Sequence, residues 1–196
     1  MKSLLALSRF IDGMNGRIGQ LVYWLVLCAV LISAGNALVR YTFNTSSNAW
    51  LEIQWYCFSA VFLLGAGYTL LHNQHVRIDI IVGGLPKRAQ MWVDILGGVF
   101  FLLPMALAFL YFSWPFFYNS LVSGEMSSNA GGLILWPARL FMPIGFLLLT
   151  LQGVSEIVKR VAFLRGLIPD PTEKHEMSTA EEDLVREIKT SRGEEA

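Results

Sequence analysis

Residues 95–117 read ILGGVFFLLPMALAFLYFSWPFF, 23 positions without a charged side chain. At about 1.5 Å per helical residue, such a run crosses a hydrocarbon core of ~30 Å once. Lipid offers nothing to an open backbone, so the run is expected to be a helix. A strand barrel shows short alternating segments instead. Working outward, three more stretches follow the same rule. Ile18–Val39 and Ile53–Leu71 carry no charge, and Leu133–Val154 carries only Arg139. The sequence therefore predicts an all-α integral membrane protein with four transmembrane helices.

Charge is distributed to match. Of 196 residues, 54% are hydrophobic and 15% charged, and residues 169–196 hold 13 of the 30 charged side chains, nine of them acidic. The 17 left over residues 1–168 are too few for a water-facing surface. The division predicts a membrane domain over 1–168 and a charged cytoplasmic tail over 169–196. It excludes an ordinary soluble enzyme, a disordered chain and a disulfide-built secreted domain. The first apolar run is too long for a signal peptide and lacks a small-residue cleavage site, so it reads as a retained helix.

Lys and Arg set the orientation. Nine of them (Lys2, Arg9, Arg17, Arg77, Lys87, Arg88, Lys159, Arg160 and Arg165) fall at one face, and only Arg40 and Arg139 at the other. The positive-inside rule then places both termini in the cytoplasm. Residues 1–17 put Leu4, Leu7, Phe10, Ile11 and Met14 on one helical face, with Lys2, Arg9, Asp12 and Asn15 mostly opposite. That pattern predicts an amphipathic helix lying on the inner membrane surface. The stretch from His75 to Arg88 mixes apolar and charged residues in the same interfacial manner. Pro137 suits the start of the fourth helix. Pro104 and Pro143 fall inside spans as candidate kinks. Ser178 to Glu181 forms a capping-box pattern for a short helix in the tail.

Several chemistries lack their residues. Cys28 and Cys57 lie mid-span in different helices, without a C-x-x-C pair, as inert packing thiols. His72, His75 and His175 lie at or beyond the end of a span, which disfavours membrane haem. No phosphate-binding, zinc-protease or nucleophile-elbow motif occurs, and no nucleic-acid patch. The chain is thus expected to be no enzyme, with no cofactor or metal. A self-sufficient transporter needs a polar cluster at the midplane, and these spans are nearly free of charge. Gly65 and Gly67, with Gly97 and Gly98, look like close-packing positions. The six tryptophans suit an aromatic belt.

The order of short motifs resembles the small membrane subunit of tripartite ATP-independent periplasmic (TRAP) transporters. Arg40-Tyr41-Thr42-Phe43-Asn44 follows the first span, as in that family's R-Y-x-F-N pattern. Glu52 opens the second span between Trp50 and Trp55. His75-Val76-Arg77-Ile78-Asp79 is similar to the family's H-[VI]-R-[VI]-D stretch, and Leu85-Pro86-Lys87-Arg88 to its L-P-x-R. The resemblance covers nearly all of residues 1–168.

The resemblance implies a bacterial inner-membrane protein and a division of labour. A periplasmic binding protein captures a small organic acid, commonly a carboxylate. A large many-span subunit moves it inward on a sodium gradient. The small subunit binds and scaffolds the large one, and sodium and substrate are expected in the large subunit. A self-sufficient oligomeric small transporter or channel is the competing reading. Arg40, Glu52, Trp55, His75, Arg77, Asp79 and Arg88 are the candidate partner or lipid contacts. A carboxylate at a lipid boundary needs a partner. For Glu52, either Arg40 or a neighbouring subunit supplies it. Arg77 suits the phosphates of membrane phospholipids. Arg139 is expected to snorkel to the outer interface. Asp94 is expected to mark the inner end of the third span.

Overall fold

The computed structural model describes residues 1–45, 47–72 and 85–169. Four long helices account for nearly all of them: α1 (Lys2–Phe43), α2 (Asn48–Leu71), α3 (Lys87–Ser123) and α4 (Trp136–Leu164). Each is long and apolar enough to cross a membrane, as the four runs imply. Local chemistry ends them where they end. Asn44 closes α1 with φ 50°, a left-handed conformation in which Asn is second only to Gly. Gly124 does the same for α3 with φ 61°. Pro137 sits in the first turn of α4, where its missing N–H costs nothing.

The helices alternate in direction. The start of α1 and the end of α4 therefore share one end of the molecule, the base. The α1–α2 and α3–α4 connections share the other, the crown. α4 is the central element. Helices α1 and α2 pack against each other and both against α4, and α3 packs mainly on α4. Half of the most apolar window of α4 is buried, against 11% in each of the other three.

Residues 1–17 do not form a helix of their own. They are continuous with the first span, in one α-helix of 42 residues. At about 1.5 Å per residue that is a rod of about 63 Å, some 20 Å longer than a bilayer with its headgroups. Of the expected apolar face, only Ile11 is buried. Ser8, Ile11, Asn15, Gly19, Val22 and Ala29 face the other helices, while Leu4, Leu7 and Phe10 are exposed. Ser8, Asn15, Val22 and Ala29 repeat every seven residues, the spacing of a helix seam. Small and polar residues form that seam, because lipid accepts the apolar ones as readily as a protein core does.

Close approaches on the same seams explain some glycines. A Cβ on Gly67 would strike the Asn15 side chain, and one on Gly145 would lie 2.6 Å from the Leu63 carbonyl oxygen. A Cβ on Gly19 would enter the Tyr68 ring, and one on Gly98 would lie 3.2 Å from Ile157. Gly65 meets only Val22, at 3.8 Å, and Gly97 meets nothing within 4 Å. Of the two expected glycine pairs, one member of each is at a tight contact.

α3 holds a π-helical stretch at Gly98–Leu102, where the Leu103 N–H bonds the Gly98 carbonyl. Pro104 lies four residues beyond Phe100 and has no N–H to give its carbonyl. The wider turn inserts one residue into the helix. Before it, Met91 and Gly98 face α4 seven residues apart; after it, Ala106, Ser113 and Ser120 are buried at the same interval. The inserted residue keeps one face of α3 on α4 along its whole length.

Candidate functional site

At the base, α4 presents Gln152, Ser155, Glu156, Lys159 and Arg160 along two and a half turns. These meet Ser8, Asp12 and Asn15 of α1 and Asp94 of α3. The Ser8 hydroxyl bonds the Ser155 hydroxyl at 2.6 Å, and Ser155 donates onward to Asp12 Oδ1 at 2.7 Å. Asn15 Nδ2 donates to Gln152 Oε1 at 2.8 Å. Gln152 Nε2 donates to Asp12 at 2.9 Å and to Glu156 at 3.1 Å. Lys159 pairs with Asp12 at 3.1 Å and Glu156 at 2.5 Å. Arg160 reaches Asp94 through Nε at 3.0 Å and Glu156 through Nη1 at 2.5 Å.

Among the described residues three carboxylates face two cations there, and the Gln152 amide and Ser155 hydroxyl donate further hydrogen bonds to Asp12 and Glu156. Arg160 and Glu156 are almost fully buried. Every carboxylate is engaged by donors from another helix or the next turn. The cluster therefore acts as a tie between α1, α3 and α4.

At the crown the tie runs from a helix to a loop. Glu52, in the first turns of α2, accepts from the Ser127 hydroxyl, from Asn129 Nδ2 at 2.9 Å and from the Leu133 N–H at 2.6 Å. The α3–α4 connection is folded back by an isolated β-bridge between Met126 and Ile134. Gly132 lies at the fold, where a Cβ would stand 2.6 Å from Ser127 and 2.9 Å from Glu52 Oε1. Two more α2 side chains hold the same loop: Asn48 donates to the Ala130 carbonyl at 3.0 Å, and Tyr56 to the Ile134 carbonyl at 2.7 Å.

The sequence-derived candidates fall in different places. Glu52 has its partner within the chain, and that partner is the loop; Arg40 is not part of it. Arg40 lies exposed near the end of α1, without an ion pair among the described residues. Trp55 is 72% exposed on α2. Arg88 is exposed in the first turn of α3. His75, Arg77 and Asp79 lie outside the described residues, as does the capping-box pattern at Ser178. Arg139 lies at the crown with a partner. Its guanidinium grips Glu125 through both Nη atoms and lies 4.1 Å above the Phe116 ring. Asp94 is an ion-pair partner of Arg160. Neither pair was foreseen, since the partners lie 14 and 66 positions apart with no local spacing signal.

Between the two ties, large side chains point away from the molecule. Trp24, Phe62, Phe101 and Phe112 are each more than 60% exposed. Their surface is available to lipid and to a membrane partner.

A family model described as Tripartite ATP-independent periplasmic transporters, DctQ component, matches residues 29–163. Among curated proteins, none matches the chain.

Proposed function

The chain belongs to the DctQ component family of TRAP transporters, and from this premise we propose that it is a rigid, non-catalytic frame for the large transport subunit. The family makes it the small membrane subunit of such a system, associated with a large membrane subunit and a periplasmic binding protein. In our reading, residues 1–168 are the framing domain, with 169–196 a separate cytoplasmic tail. Both termini face the cytoplasm, following the Lys/Arg asymmetry, so the base is the inner end and the crown the outer. The large subunit carries the sodium and substrate sites and takes up a small organic acid. Membrane phospholipids fill the rest of the exposed flank.

One observation carries the proposal. The helices are tied at both ends by polar clusters, yet three of the four have only 11% of their most apolar windows buried. Internal ties resist relative motion of the helices, and an uncovered apolar flank lets a larger membrane body rest against them. A moving element in that body then works against a fixed one.

Reconstitution in liposomes tests the proposal. The large subunit, its binding protein and a sodium gradient are expected to drive uptake only when this chain is present. Full uptake without the chain would refute the framing role. Uptake by this chain alone would establish the competing transporter reading.

A further inference from the structure

We infer that a transmembrane helix of the large subunit docks on the outward face of α3, donating hydrogen bonds to two backbone carbonyls that α3 leaves open; the framing role above supplies the identity of that partner. Pro104 and Pro115 both lie within α3. Each lacks the N–H that a carbonyl one turn earlier would accept. For Pro115 that carbonyl belongs to Tyr111. Near Pro104 the π-helical turn decides which one is open. Val99 would accept from Leu103 or Pro104, but Leu103 donates to Gly98 and Pro104 has no N–H. Among the described residues no side chain donates to Val99 or Tyr111, and the Ser113 hydroxyl bonds the Leu110 carbonyl instead, at 3.1 Å. Both open carbonyls fall in the charge-free run 95–117. Lipid tails offer no donor there, and an unsatisfied carbonyl is costly.

Both carbonyls lie on the side of α3 that faces away from the bundle. A helical carbonyl points along the axis, toward the residue of the next turn that would donate to it. That residue is Pro104 for Val99 and Pro115 for Tyr111, and all four are exposed. Pro104, Ala108, Tyr111 and Pro115 are spaced by four, three and four residues and form one line along α3. At about 100° per residue, that line is opposite Ala106, Ser113 and Ser120, the residues buried on the α4 side. From Val99 to Tyr111 the helix rises about 18 Å. A partner helix that meets both carbonyls needs donors a little over three turns apart on one face, which Ser, Thr, Asn or Gln can supply. Ala108, between them, lets two helices come close. A phospholipid fits less well, because its donors stay at the headgroups.

Affinity between the full chain and the large subunit, read by fluorescence transfer in phosphatidylcholine vesicles, tests the face. Pro115→Ala returns an N–H to the Tyr111 carbonyl. It should weaken association about fivefold, the effect of one interhelical hydrogen bond in a membrane. The thermal midpoint of the chain alone should hold or rise. Pro104→Ala should weaken association in the same direction. Leu21→Ala, at an exposed position of α1, should leave it unchanged. Infrared spectroscopy reads the bond itself. With carbon-13 in the tyrosine carbonyls, and Tyr111→Phe as the subtracted reference, the Tyr111 amide band should move to lower frequency when the large subunit binds. That band decides the case if either proline variant lowers the midpoint. Unchanged affinity in both proline variants overturns the docking face, as does a Tyr111 band that stays in place in the complex. An equal loss in Leu21→Ala would mark non-specific contact and also overturn it. The framing role is judged by uptake, which these affinities do not enter, so the two can fail separately.

Discussion

Base and crown are tied in different ways. At the base, side chains of three helices meet one another directly, and the Arg160–Glu156 pair is almost fully buried. Asp12 and Lys159, or Asp94 and Arg160, bind elements far apart in the chain. At the crown, Glu52 and its neighbours on α2 hold mainly the backbone and short side chains of one connection. Breaking the base should free helices from one another. Breaking the crown should free a loop. The first kind of tie sets the stiffness of a frame, and the second sets the shape of the surface it presents.

The largest effect belongs to Arg160→Ala. It removes the cation that Asp94 and Glu156 share, and breaking a buried pair costs roughly 3–5 kcal/mol. Thermal unfolding in detergent should move down sharply, and Arg160→Lys should recover only part, because one ammonium cannot reproduce the forked contact. Asn15→Ala comes next. It strips Gln152 Oε1 of its donor in a site with no exposure, for about 1–3 kcal/mol. Glu52→Gln sharpens the contrast: amide exchange at Leu133 should speed up while the global unfolding midpoint moves less than in either base variant. A fall as large as that of Arg160→Ala would erase the distinction between the two ends. The smallest effect is expected for Glu125→Gln, whose half-exposed pair with Arg139 contributes at most about 1 kcal/mol. That difference should shrink further in high salt.

The four spans were legible because hydrocarbon imposes length and apolarity on any crossing segment. The packing face of α1 was not. The apolar stripe of residues 1–17 points to lipid contact for Leu4, Leu7 and Phe10, which are exposed, but it carries no sign that Ser8 and Asn15 are buried against other helices. A seven-residue repeat of small and polar residues was the available signal. The demand of Glu52 for a partner was legible from its place at a lipid boundary. Its choice of the loop over Arg40 was not, because it depends on how residues 125–135 fold back. The π-helical turn in α3 had a hint in Pro104, but only the position of α4 shows that the added residue preserves a common face.

The central claim is that this chain is a fixed frame, and distances within it during transport test that directly. Spin labels at Leu21 on α1 and Phe112 on α3, both exposed, can be introduced with Cys28 and Cys57 replaced by serine. Pulsed electron resonance on the assembled complex in liposomes then compares resting and sodium-plus-substrate conditions. A single distance distribution, the same in both, is the expected result. A second population or a shift on adding sodium and substrate would show that the chain moves with the transported cargo, and would contradict the account.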